Sequence, residues 1–111
     1  MYLAKLVFNI VTEKTPRQSQ FEEQFRLVDA DSIEEAFLKA RAIGIKEEEI
    51  IYNEDRPVTR WEFVDVADLV PVRSLNSGAE IYSQIHETTE SREYIKQIHQ
   101  RGMAIRLATA Q

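Results

Sequence analysis

Cysteine is absent from all 111 residues. Its absence removes disulfide frameworks, thiolate zinc and iron–sulfur sites, and thiol nucleophiles together, and it fits a reducing compartment. Glycine is scarce. Gly44, Gly78 and Gly102 stand far apart, so no glycine-rich phosphate loop or dinucleotide fingerprint exists. Only two histidines occur, His86 and His99. A metal site would need one or both with carboxylates. His86 and Glu90 share a face only if that stretch is helical, and a strand end is expected there. Both histidines therefore read as surface imidazoles, and no metal, cofactor or catalytic residue is expected. No serine sits on a recognisable strained turn, so no nucleophile triad is indicated. No apolar run reaches the roughly 18–20 residues of a bilayer span. The opening Met1–Phe8 has no basic leader and h-region, and Tyr2 occupies the position a myristoylated glycine would take. A cytoplasmic location without membrane association is the expectation.

What is present is charge, unevenly placed. The chain is 12.9 kDa, 43% apolar and 30% charged, with a net charge of −5. This is the profile of one ordinary globular domain, and its acidity disfavours nucleic acid as a partner. Residues 21–55 hold eleven acidic and four basic side chains, net −7. Residues 91–111 hold Arg92, Lys96, Arg101 and Arg106 against Glu93, net +3. These read as a solvated acidic face and a solvated basic tail, or as a tail that docks on an acidic surface of its own chain or of a partner.

Hydrophobic periodicity organises the rest. Residues 2–12 alternate with apolar Tyr2, Ala4, Leu6, Phe8 and Ile10, and Leu3, Val7 and Val11 make the other face partly apolar too. This predicts a strand in the middle of a sheet. Residues 13–20 with Pro16 read as a hairpin loop, and residues 21–29 as a second strand with Phe21, Phe25 and Leu27 on one face. Residues 31–44 carry Ile33, Ala36, Phe37, Ala40 and Ile43 at helical spacing. Asp31 or Ser32 can cap that helix, each with a glutamate three residues on, and Gly44 is expected to end it in a left-handed conformation.

Residues 49–53 predict a third strand, followed by a turn at Asn53–Pro57. Residues 58–70 predict a fourth, whose apolar positions change phase: Trp61 and Phe63, then Val64 and Val66, then Leu69 and Val70. Either a β-bulge resets the register or both faces are covered. Residues 79–87 alternate Ile81, Ser83 and Ile85, which reads as a fifth strand, with a helix as the alternative. A second helix follows from about Ser91, with a thin stripe of Tyr94, Ile95 and Ile98, ended or bent by Gly102. Residues 103–111 show no firm pattern and are expected either to be disordered or to pack on a neighbour.

The expected fold is α+β, an antiparallel sheet of about five strands in the order β-β-α-β-β-β-α with the main helix on one face. Residues 1–88 form the domain core, and residues 89–111 a C-terminal helix and tail of the same domain.

Several segments in that order resemble a known family. They are Tyr2-Leu3-Ala4-Lys5-Leu6-Val7-Phe8, Arg26-Leu27-Val28-Asp29-Ala30-Asp31 leading into Glu34-Glu35-Ala36, Trp61-Glu62-Phe63 with Val66 and Asp68-Leu69, and Gly78-Ala79-Glu80-Ile81-Tyr82-Ser83. The chain resembles, over roughly residues 1–88, a bacterial family carried as domain of unknown function 4288. The resemblance implies no activity and no catalytic residues.

The candidate interface or pocket comprises Arg60, Trp61, Glu62, Phe63, Glu80 and His86. Trp61 reads as monomer core, as an anchor against a second copy or another protein, or as the wall of a small pocket. Glu80, beside Gly78, reads as a hydrogen-bond partner of the turn's backbone or of a basic side chain such as Arg60 or Arg73, or as a ligand-binding carboxylate. The favoured function is a non-catalytic interaction or self-associating module, a dimer above other assemblies. The alternatives are an acidic inhibitor that masks a basic protein such as a nuclease, and a small ligand-binding domain or enzyme using Arg60, Glu62, Glu80 and His86.

Overall fold

The computed structural model describes residues 1–12, 19–53 and 56–109, with the side chains of 49–58 left aside. The loop expected around Pro16, the centre of the turn at Glu54-Asp55 and the last two residues lie outside the described residues. The elements are β1 (Tyr2–Thr12), β2 (Gln20–Val28), α1 (Ile33–Lys46), β3 (Glu49–Asn53), β4 (Arg56–Pro71) and α2 (Ser91–Thr109). The strands form one antiparallel sheet in the order β2-β1-β4-β3. The two-sided apolarity of β1 therefore does mark a central strand.

The fold is α+β, with four described strands rather than five. Residues 79–87 carry no strand. Their alternation has no ladder to join, and alternation alone does not supply the paired N–H and C=O groups that make a strand.

One face of the sheet packs under α1. Ala4, Leu6 and Phe8 of β1, Val28 of β2, and Ala36 and Ala40 of α1 form the buried centre, with Trp61, Phe63, Val66 and Leu69 of β4 packed around it. The spacing of those β4 residues is two, three and three. The register against β1 slips between Val7 and Phe8 and again between Lys5 and Leu6, leaving Val64 and Ala67 without a partner on β1. These two bulges return all four side chains to the α1 face. Each bulge is followed by an aspartate. Asp65 Oδ1 accepts the Val66 N–H at 2.7 Å, and Asp68 Oδ1 accepts the Leu69 N–H at 2.9 Å.

At the start of α1, Ser32 is the cap. Its Oγ accepts the Glu35 N–H at 3.1 Å, while Glu35 reaches back to the Asp31 N–H. Gly44 does not end α1. It lies inside the helix, buried, and among the described residues only Gly78 has a positive φ. A Cβ at Gly44 would fall within the Phe63 ring, 2.6 Å from Cζ and nearer to two other ring carbons. The glycine is there so that α1 can close on β4. Gly78 has φ 85° and open space around it. It occupies the third position of a turn in which the Ala79 N–H donates to the Asn76 carbonyl, where left-handed backbone is required.

α2 is longer than its sequence stripe suggests. It runs through Gly102 to Thr109 over 19 residues and buries none of them. Among the described residues it packs on no strand and not on α1. The radius of gyration is 18.0 Å, against about 13 Å for a compact chain of this length. The accessible surface is 9414 Å², roughly half again the ~6,300 Å² of a compact monomer of this mass.

Candidate functional site

β2 presents its apolar side away from α1. Cross-strand partners in a ladder point to the same face. Leu27, Phe25, Glu23 and Phe21 lie opposite Leu3, Lys5, Val7 and Asn9 of β1, on the face that α1 does not cover. The polar residues Glu22, Gln24 and Arg26 take the α1 side. There Gln24 hydrogen-bonds both neighbours, and Arg26 stands 3.9 Å from Glu47. On β4 the register places Arg60, Glu62, Asp65, Asp68 and Val70 on the uncovered face.

The segment after β4 crosses this face and lays Tyr82 on it. The Tyr82 hydroxyl donates to Asp68 Oδ2 at 2.7 Å, and its ring meets Phe25 at 5.2 Å in a tilted arrangement. Lys5 lies on β1 between Phe25 and Asp68 in the register. Its ammonium is 2.8 Å from Glu23 and 6.0 Å from the Phe25 centroid. Five residues from three strands and one loop thus form a cluster: Lys5, Glu23, Phe25, Asp68 and Tyr82.

The hydrogen bond to Glu23 holds the Lys5 ammonium above its ordinary pKa, against partial desolvation. The bond to Asp68, helped by partial desolvation, raises the Tyr82 phenol above its ordinary value. Because the folded state favours the neutral phenol, its contribution is present below the unfolded tyrosine value of about 10 and is lost as pH rises through the higher folded value. The tyrosinate absorbance removed by Tyr82→Phe should accordingly titrate above an ordinary tyrosine, measured at 295 nm on native protein. A component at or below the ordinary value would contradict the Tyr82–Asp68 bond.

The six residues singled out from the sequence separate. Trp61 and Phe63 lie on the α1 face among the core, and Phe63 meets Phe8 at 5.6 Å. Arg60 and Glu62 lie together on the uncovered face, joined at 3.3 Å. Glu80 is elsewhere, in a cleft of about 410 Å³ at the end of β4, beside Arg73, Ser74, Tyr82 and Ser83. Among the described residues neither Arg73 nor Glu80 has a hydrogen bond or ion pair. His86 stacks on Tyr94 of α2, centroids 4.7 Å apart and planes at 10°. Among the described residues no His, Cys, Asp or Glu group has the arrangement of a metal site, and no helix is long and apolar enough to cross a membrane.

Sequence reasoning missed the Lys5–Tyr82 cluster. Two signals for it were visible: Lys5 interrupting, with Asn9, the second and partly apolar face of β1, and Tyr82 within the Gly78–Ser83 segment. What was missing was the register that brings them together.

A shallow apolar depression lies where α1 meets β4, lined by Ile33, Glu34, Phe37, Leu38 and Leu69. It is open and nearly without polar groups.

No curated protein and no solved structure matches the chain. A family model described as a domain of unknown function, DUF4288, matches residues 1–83, from β1 through the Gly78–Ser83 segment and Tyr82 on the open face. α2 lies beyond the match. With three quarters of its length covered, the chain belongs to the DUF4288 family.

Proposed function

We propose that this protein is a non-catalytic module that works by associating with itself. One observation carries the reading: a 19-residue basic helix with an apolar stripe buries none of its side chains. At 100° per residue, Tyr94, Ile95, Ile98, Gly102 and Ile105 fall within one quarter to one third of the helix circumference. A helix of this length, with a glycine near its middle, is marginal in water on propensity alone, and such helices normally persist because the apolar stripe is packed. The surface in excess of a compact monomer, about 3,000 Å², exceeds the ~800 Å² per partner that a stable interface buries.

Light scattering coupled to gel filtration tests the reading on the full chain. A dimer is expected at high micromolar concentration, and Ile98→Asp should shift it to monomer. Ile98 touches no part of the core, so the variant should keep the β-sheet circular dichroism of the parent. A wild-type chain that stays monomeric across the whole concentration range overturns the proposal.

A further inference from the structure

Resting on the self-association reading, the geometry points to a specific pair of surfaces: we infer that α2 of one copy lies across the uncovered sheet face of a second copy, reciprocally. Along β2 the exposed part of that face is mostly apolar. Phe21 is 57% accessible, Phe25 50% and Leu27 48%, and Phe25 keeps that exposure with Tyr82 already against it. Phe25 and Leu27 are adjacent in this edge-strand row and Phe21 follows beyond Glu23; large apolar side chains exposed together in this way are ones that monomers seldom leave in water.

Charge selects the occupant. The same face carries Glu23, Glu62, Asp65 and Asp68 against Lys5 and Arg60, net −2. α2 carries Arg92, Lys96, Arg101 and Arg106 against Glu93, net +3. Two α2 helices packed on each other would oppose like charges, and two sheet faces would do the same with the opposite sign. Only the helix-on-sheet pairing brings apolar onto apolar and basic beside acidic.

The dimensions agree. A 19-residue helix is about 28 Å long. The 9 residues of β2, which carry the contact side chains, extend about 31 Å. Tyr82 already crosses this face from Phe25 to Asp68, so α2 seats beside it along the β2 edge, with Ile95, Ile98 and Ile105 toward Phe21, Phe25 and Leu27. Exchanged reciprocally, one helix and one sheet face from each of two copies make a closed two-fold dimer. Within its own chain, α2 is steered away from the sheet: the coil that leaves Tyr82 stacks His86 on Tyr94 in the first turn of the helix, and α2 packs on no strand.

The lack of cysteine makes the test clean. Phe25→Cys and Ile98→Cys chains, distinguished by a mass tag, are mixed at high micromolar concentration and treated with a short bismaleimide. Mixed adducts, joining the thiol at position 25 of one chain to the thiol at position 98 of the other, are expected to predominate. In parallel, Phe25→Asp should weaken the dimer at least tenfold, and reversal of charge in Lys96→Glu/Arg101→Glu should weaken it by a similar factor at low salt. A dimer that yields only adducts between two like chains, helix to helix or sheet to sheet, overturns this pairing while leaving self-association standing. So does a dimer whose affinity is unchanged in Phe25→Asp. A monomeric wild type overturns both.

Discussion

Replacing Phe8 with alanine is expected to destabilise the fold by about 3–5 kcal/mol, the range for deleting a fully buried aromatic side chain. Phe8 is 1% accessible and lies on the central strand, between β2 and β4 and beneath α1. Its ring meets Phe63 at 5.6 Å with planes inclined by 58°, a favourable tilted contact that the substitution also removes. Among the described residues the other large side chain as thoroughly buried is Leu6, and Ala4, Ala36 and Ala40 have no atoms to extend into the vacated space. A domain of this size has only about 5–15 kcal/mol in total, so the variant should sit near its unfolding midpoint in mild urea. Phe25→Ala is the control. It removes an aromatic from the same sheet, but from the exposed face, and should change monomer stability by less than about 1 kcal/mol. Urea midpoints at a concentration where the chain is monomeric separate the two. Equal losses from Phe8 and Phe25 would contradict the assignment of α1 to the Tyr2–Ile10 face.

The elements that could be read from the sequence are those whose own periodicity settles the question. β1 alternates without interruption on its even face, and α1 has both its stripe and its cap. In β4 the phase conflict between Trp61, Phe63, Val66 and Leu69 was visible and bulges were one of its two solutions. Choosing between them takes the ladder to β1, which places Val64 and Ala67 outside the pairing. Residues 79–87 went astray for the complementary reason. Ile81, Ser83 and Ile85 describe a chain with two sides, but a strand needs a neighbour, and the described sheet gives this segment none. The candidate site was partly legible. Arg60 and Glu62 do share a face and do pair, as strand geometry requires. Trp61 and Phe63 had core, interface and pocket readings open, and the bulges bring them under α1. Lys5, Phe25, Asp68 and Tyr82 come from four separate segments, and no spacing within any one segment carries their meeting.

Gly44 shows how one residue can satisfy two different physical demands in sequence, and how an experiment tells them apart. At the end of an apolar stripe, a glycine has the chemistry of a left-handed helix stop. In the fold it lies within the last turn of α1, pressed against Phe63. Alanine inside a helix is favoured over glycine by about 1 kcal/mol, but here its methyl must displace a stiff aromatic ring held against Phe8. Overpacking of that kind typically costs about 1–3 kcal/mol, and this contact belongs at the upper end because Phe63 has the core on its far side. Gly44→Ala should therefore lower stability by about 2 kcal/mol net of propensity, a fall in Tm of roughly 10 °C. The same change made in Phe63→Leu protein should be neutral or slightly stabilising, because the smaller side chain yields the space and the helix propensity remains. A glycine needed for positive φ would also lose stability on conversion to alanine, but the loss would persist whatever stands at position 63. The coupling in this double-mutant cycle thus separates close approach from backbone conformation. A cost at Gly44 that is unchanged by Phe63→Leu would return the residue to the role of helix stop and move α1 off β4.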